Sequence, residues 1–274
     1  VRLKVTKIET LTAHLVTHYT DGSISKTAAL ELTYAGSLAV SKWVSLVDAT
    51  LNTNQPCNSG TVAGQGATGS NSPSSGVDQA DGSRVAVYDT TVMDSSILFA
   101  VCYAETDGAT TDTWADTGLR LYVSKITLNY ATDSTTFPQR QWLSPNILPA
   151  INRLPQVASV VVTYVGELVN DKYLSIVDAS LNSNNPCVMA NIAGAVADTA
   201  HSGPLTAGTG TKVVTIPQGS GNLLDMTKTF AVCYAETSGS TTDSSWRDSY
   251  VRLKVTKIET LSAHSVDHYS DGSI

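Results

Sequence analysis

The sequence has little charge. Only 15% of its 274 residues are Asp, Glu, Lys or Arg, and 24 acidic residues against 17 basic ones leave a formal charge of −7. Binding phosphate needs a basic face, so nucleic acid is not an expected partner. No apolar run approaches the length of about 20 residues that spans a bilayer as a helix, so no membrane span is expected in this segment. No Asn stands in an Asn-x-Ser/Thr sequon, which excludes conventional N-glycosylation. The chain opens on Val1 and shows no signal peptide, so secretion has to be argued from other features. The G-x-S-x-G elbow, the phosphate loop and the H-E-x-x-H motif are all missing, and no C-x-x-C pair offers a zinc site. These absences leave no support for an enzyme or for a cofactor.

What is present suits strands. Hydrophobic residues make up 42% of the chain, with 11 Tyr, 4 Trp and 3 Phe, enough to fill a core. Ser and Thr contribute 66 residues and Gly 19, a balance that favours strands joined by polar turns. In VRLKVTKI (1–8) Val1, Leu3 and Val5 alternate with Arg2, Lys4 and Thr6, the pattern of a half-buried strand. In FAVCYAE (99–105) both faces are apolar, as in a central strand covered on two sides. No segment keeps a helical period over three turns. Many short strands with turn signals between them predict an all-β chain of antiparallel β-sandwiches.

The chain repeats itself at two levels. Residues 1–24 and 251–274 match at 20 of 24 positions, an offset of 250, as expected for one period cut from a longer tandem array. Within the period, SLVDATLNTNQPC (45–57) matches SIVDASLNSNNPC (175–187), and FAVCYAETDGATTDTWAD (99–116) matches FAVCYAETSGSTTDSSWRD (230–248). LRLYVSKI (119–126) matches VRLKVTKI at 1–8 and 251–258. Reading VRLKVTKI as the last strand of a module gives residues 1–24 as the end of a preceding module plus linker. Module 1 then spans 25–130 and module 2 spans 152–261. Residues 131–151 are a linker or arm, marked by prolines including Pro138, Pro145 and Pro149, and 262–274 starts the next linker. An aromatic in an extended arm needs a surface to cover it, so Trp142, with Pro145 and Pro149, is the expected inter-module contact.

The four cysteines fall two per module, Cys57 and Cys102 in the first, Cys187 and Cys233 in the second. Three connectivities are open to four cysteines, and free buried thiols are a further reading. The repeat favours Cys57–Cys102 and Cys187–Cys233, with each bridge pinning the Asn-Pro-Cys loop across the FAVCYAE strand as a peripheral staple. Loops of this size stabilise by about 4 kcal/mol, and the bridges imply an oxidising, extracellular or secretory compartment.

The acidic turn after FAVCYAE holds Glu105, Asp107 and Asp112, with Asp116 beyond, and recurs as Glu236, Asp243 and Asp248. Such oxygens near strand ends make a weak calcium candidate. Ser238 replaces Asp107 in the second copy, and a solvated turn closed by Trp114 and Trp246 at the end of the sandwich is the plainer reading. Asp48, Asn52 and Asn54, repeated as Asp178, Asn182 and Asn184, suit Asx turns. His14 and His18, repeated as His264 and His268, would share a face if they lay on one strand, but two ligands make a poor metal site. His201 stands alone, without a Ser-His-Asp arrangement. The loop GATGSNSPSSG (66–76) is the expected place for O-linked sugars or variable surface contacts.

The motifs SxVDAxLNxNxPC, FAVCYAETxGxTTD and [VL]RLxVxKI resemble repeat modules of very large secreted proteins of algae and related protists, including those of mastigoneme-type flagellar hairs and other extracellular filaments. That resemblance implies immunoglobulin-like β-sandwich modules in tandem, a structural role at the cell or flagellar surface, and copies of the chain itself or neighbouring repeats as partners. A repetitive cell-surface adhesin, or an array of carbohydrate-binding modules, is the rival expectation.

Overall fold

A computed structural model describes residues 5–130, 136–137, 152–218, 223–258 and 260–268. The chain is mostly β and divides into two compact units, the described residues through Lys125 and those from Ile126 on.

The first unit is built from nine strands: β1 (Ile8–Ala13), β2 (Val16–His18), β3 (Asp21–Ile24), β4 (Leu30–Gly36), β5 (Trp43–Asp48), β6 (Ser74–Gln79), β7 (Val85–Tyr88), β8 (Leu98–Ala104) and β9 (Trp114–Val123). One sheet has the order β2-β1-β4-β7 and the other β3-β9-β8-β5-β6. All pairings are antiparallel except β3 with β9, which run parallel from Asp21↔Arg120 to Ile24↔Val123. Alternation places Phe99, Val101 and Tyr103 of β8 in the core with Leu30, Leu32, Tyr34 and Leu46, all at most 2% exposed.

The second unit has the same plan strand for strand: β10 (Ile126–Tyr130), β11 (Thr136–Phe137), β12 (Asn152–Leu154), β13 (Val160–Gly166), β14 (Tyr173–Asp178), β15 (Leu205–Thr206), β16 (Val213–Ile216), β17 (Phe230–Ala235) and β18 (Arg247–Val255). Its sheets run β11-β10-β13-β16 and β12-β18-β17-β14-β15, and β12 pairs parallel with β18. Ile126, Leu128, Tyr164, Ile176, Phe230 and Leu253 are among its core residues. A final hairpin, β19 (Leu261–Ala263) with β20 (Val266–His268), follows.

The boundaries differ from those expected from sequence. Residues 8–24 are not the tail of an earlier module, because β1 pairs with β4 and β3 with β9 inside the first unit. Module 1 does not reach residue 130, because Ile126–Tyr130 pairs with β13 of the second unit. The expected linker at 131–151 contains Thr136–Phe137, which pairs with β10, and the expected module end at 261 falls inside the terminal hairpin. The reason is that the VRLKVTKI motif is not one strand. Its first part closes one unit at Val123 or Val255. Two residues follow, and its Ile then opens another strand, as at Ile126 and Ile8. Trp142, Pro145 and Pro149 lie outside the described residues.

Candidate functional site

The most elaborated feature of each unit is the outer face of its five-stranded sheet. Ala100, Cys102 and Ala104 of β8 point away from the sandwich core and would meet water in a simple two-layer fold. They are covered instead by the segment after β5, and a second apolar cluster forms there from Val47, Cys57, Ala63, Ala100, Cys102, Ala104 and Trp114. The second unit repeats it with Val177, Cys187, Ala193, Ala231, Cys233, Ala235 and Trp246.

The covering segment is shaped by local polar chemistry. The Asp48 carboxylate accepts hydrogen bonds from the Thr50 backbone N–H and hydroxyl, both at 2.8 Å. Asn52, Thr53 and Asn54 then adopt three successive left-handed conformations, as do Asn182, Ser183 and Asn184. Such a run is costly for L-residues, and short polar side chains tolerate it best; Asn52 Nδ2 donates to the Gln55 carbonyl at 2.8 Å. The chain next forms a 3-10 turn, Pro56–Asn58, that carries Cys57. The disulfides are Cys57–Cys102 and Cys187–Cys233, each with Cα atoms 5.3 Å apart, and both lie in the outer clusters, not in the centre of the sandwich. A further turn, Gly60–Ala63, is tied down by the Ser45 hydroxyl, which donates to the Ala63 carbonyl at 2.7 Å.

The acidic turn is organised around one carboxylate. Asp112 accepts from the backbone N–H groups of Thr106 (3.2 Å), Asp107 (2.8 Å), Gly108 (2.9 Å) and Thr113 (2.6 Å). Burial pushes its carboxyl up, but these four donors outweigh that effect and bring the pKa to about 2. Asp243 does the same with Ser238, Gly239 and Ser245, and its pKa is likewise about 2, the donors again outweighing burial. Gly108 sits at φ +67° where an added Cβ would lie 2.5 Å from the Trp43 ring, and at Gly239, φ +65°, an added Cβ would lie 2.6 Å from the Tyr173 ring.

The other candidate oxygens disperse. Asp107 accepts from the Ala109 N–H, and Glu105 pairs with Lys7 at 2.7 Å. The Glu105 and Glu236 carbonyls accept from Lys42 Nζ at 2.6 Å and Lys172 Nζ at 2.7 Å. The turn carboxylates therefore act as acceptors for their own backbone, and among the described residues no group of three or more His, Cys, Asp or Glu is placed to hold a metal. Trp114 and Trp246 do not close the end of the sandwich. They pack in the outer clusters, each Nε1 donating to a turn carbonyl, Ala109 at 3.0 Å and Ser240 at 2.9 Å. His14 and His18 do not share a strand, because His14 and Leu15 form the β1–β2 turn at φ +48° and +71° while His18 is buried on β2. His201 pairs with Asp198 at 2.8 Å.

Asp116 and Asp248, placed by the sequence beside the acidic turn as oxygen ligands, are each followed by an arginine in a D-x-x-x-R spacing that carried no expectation of its own. Arg120 clasps Asp116 with two bonds of 2.9 and 2.7 Å, and Arg252 clasps Asp248 with 2.8 and 2.6 Å. The exposures are 26% and 32% in the first unit but 4% and 2% in the second. Both pairs sit at a bulge where register shifts between Ala100 and Cys102 or between Ala231 and Cys233. Burial raises the Asp116 carboxyl pKa, and the bonds from Arg120 and the Gly118 N–H overcome it, so the net shift is downward.

The arrangement is a structural clamp: a loop, a bridge, an indole and a buried-acceptor turn fastening one sheet face. No helix among the described residues is long and apolar enough to cross a membrane, and the two disulfides are compatible with an extracellular or secreted protein. No protein-family model matches the chain, and no curated protein matches it.

Proposed function

We propose that the chain is a structural segment of an extracellular filament built from tandem, disulfide-clamped β-sandwich units of immunoglobulin-like type. The observation that carries this reading is the return of residues 1–24 at 251–274, 20 of 24 positions identical, around two units with one strand plan. A repeat whose phase closes on itself can be continued indefinitely, as solenoid and array proteins are. The clamps support it too: a bridge of the same geometry in each unit is what repetitive exposure outside the cell requires, where thiols oxidise and chaperones are scarce. Only Ser124 and Lys125 separate β9 from β10. The partners on this reading are neighbouring repeats and copies of the chain, and the Ser/Thr-rich loop at 66–76 is the site for O-linked sugars.

The test is electron microscopy of the native material. Long fibres whose axial repeat holds a whole number of 250-residue periods are the expected result. Single flexible rods that end in a different domain at a cell surface would overturn it in favour of an adhesin.

A further inference from the structure

The four-stranded sheet of each unit ends at an equivalent strand, β7 in the first and β16 in the second. The register fixes which backbone groups face out of that edge. The Tyr164 N–H donates to the Lys212 carbonyl, so Val214 and Ile216 bond inward to β13, and Val213 and Thr215 turn their N–H and C=O groups away from the sheet. Val85 and Val87 do the same in the first unit, where the Tyr34 N–H donates to the Arg84 carbonyl. A row of this kind is a template for another strand unless it is blocked.

The first unit blocks it with acid. Asp81 accepts from the Val85 N–H at 2.9 Å, and Asp78 accepts from the Val87 N–H at 2.7 Å. Glu31, opposite Val87, and Asp89, just past the strand, add negative charge. The second unit keeps none of these carboxylates. Val161, Leu205, Gly208 and Pro217 stand at the positions of Glu31, Asp78, Asp81 and Asp89. Thr215 is exposed, and Val161 and Val213 are 36% and 37% exposed beside it. The Val213 N–H reaches only the Thr211 hydroxyl, at 3.2 Å, and the Val213 carbonyl is engaged by the Gly208 N–H at 3.0 Å. Among the described residues the Thr215 N–H and C=O meet no partner.

This pattern selects its own partner. A strand laid antiparallel on the edge has to accept from Val213 and Thr215, donate to the Thr215 carbonyl, and bring no N–H to the engaged Val213 carbonyl. β16 meets all of these conditions. With a two-fold axis through Thr215, the Thr215 N–H of each copy donates to the Thr215 carbonyl of the other. Val213 then faces Pro217, whose carbonyl accepts from the Val213 N–H and whose ring nitrogen has no hydrogen to leave unpaired. The nearest cation, Lys212, is turned back along its own sheet, its Nζ donating to the Gly166 carbonyl at 2.9 Å.

We propose that the β16 edge is a self-association surface that takes β16 of a second copy of this chain, joining two four-stranded sheets into one. The contact is isologous and closes as a pair. A single pair of edge strands buries less than the roughly 1,200 Å² at which stable complexes begin, so one contact is weak and reversible. In a tandem array the contact would return once per period, and its strength would come from that repetition. The inference goes beyond the filament reading and needs only the second unit.

Both pairs of cysteines are bridged, so Thr215→Cys supplies the only free thiol. In the proposed pair its Cα would lie about 5.5 Å from its counterpart, within reach of a disulfide. Mild oxidation is expected to give a covalent dimer on non-reducing electrophoresis, while Val87→Cys, at the blocked edge, stays monomeric. Sedimentation of the unaltered chain over a concentration series is expected to show reversible dimers. These are lost in Thr215→Lys, which sets two ammonium groups face to face at an exposed position, and in Thr215→Pro, which removes an N–H that the ladder to β13 does not use. A monomer at every concentration overturns the proposal and leaves the edge to water or to a strand of another protein. So does a dimer that survives Thr215→Lys, or equal cross-linking of the two cysteine variants. Native fibres built from a monomeric chain would sink this inference and spare the filament; a dimer without native fibres would do the reverse.

Discussion

Replacing Cys57 and Cys102 together by Ala removes one clamp and leaves the other intact. The bridge spans 45 residues, and the loop-closure relation assigns it about 4 kcal/mol through the unfolded chain. The folded state loses something as well. Both sulphurs are at most 1% exposed in a cluster with Val47, Ala63, Ala100, Ala104 and Trp114, so their removal leaves a small void worth about 1 kcal/mol. The first unit is therefore expected to lose about 4–5 kcal/mol. With a urea slope of about 2 kcal/mol/M, its midpoint falls by roughly 2 M. Hydrogen exchange read by mass spectrometry at graded urea separates β8 from β17, and the second unit, which keeps Cys187–Cys233, should not move. A shift below about 0.5 M with unchanged slope would refute the reasoning: the outer face would then be held by packing and turn hydrogen bonds, with the bridge constraining little.

Asp243→Asn turns one of the two carboxylate oxygens into an NH2 donor, so the side chain can no longer accept from both the Ser238 and Gly239 N–H groups and the Ser245 N–H, and should cost the second unit about 2 kcal/mol at neutral pH, measured by thermal unfolding. Because the Asp243 pKa is depressed to about 2, its contribution is full above the unfolded value near 4 and is lost as pH falls towards 2; the variant should show none of that acid dependence. Arg252→Met leaves Asp248 buried without its clasp and should cost about 3–5 kcal/mol, whereas Arg120→Met, at a half-exposed pair, should cost about 1 kcal/mol or less. Equal losses at the two positions would show that burial does not set the worth of the pair.

The repeats were the most legible part of the sequence, because identity at a fixed offset needs no physics to detect. FAVCYAE was readable as a doubly covered strand from its two apolar faces. The breaks between elements were not readable. The alternation of VRLKVTKI changes phase at its end, where Lys257 falls on the apolar face and Ile258 off it, but one off-phase residue does not distinguish a bulge from a strand cut between two sandwiches. The β1–β2 turn was hidden because His14 and Leu15 occupy a turn normally signalled by Asn-Gly or Gly. Asp21-Gly22 has turn chemistry yet lies in β3, where pairing with β9 overrides local preference. In the candidate site, the Asx turns at Asp48 and Asp178 follow from their side chains. The placement of Trp114 beside the disulfide depended on the bulge in β9, which no spacing rule announces.

The parallel pairing of β3 with β9, and of β12 with β18, has a mechanical meaning. The chain enters each unit upstream of one member of the pair and leaves from the far end of the other. Tension applied along the chain first loads β1 against β4; once β1 and β2 are drawn off, it pulls β3 and β9 lengthwise past each other, and the hydrogen bonds between Asp21 and Ile24 and their partners Arg120 to Val123 are strained together instead of unzipping in turn. Should that ladder slip, the stretch between Cys57 and Cys102, 45 residues at about 3.4 Å each or about 150 Å of contour, stays locked behind the bridge. A stretched unit would thus lengthen by the roughly 70 residues that lie outside the bridged loop and then stop at the bridge.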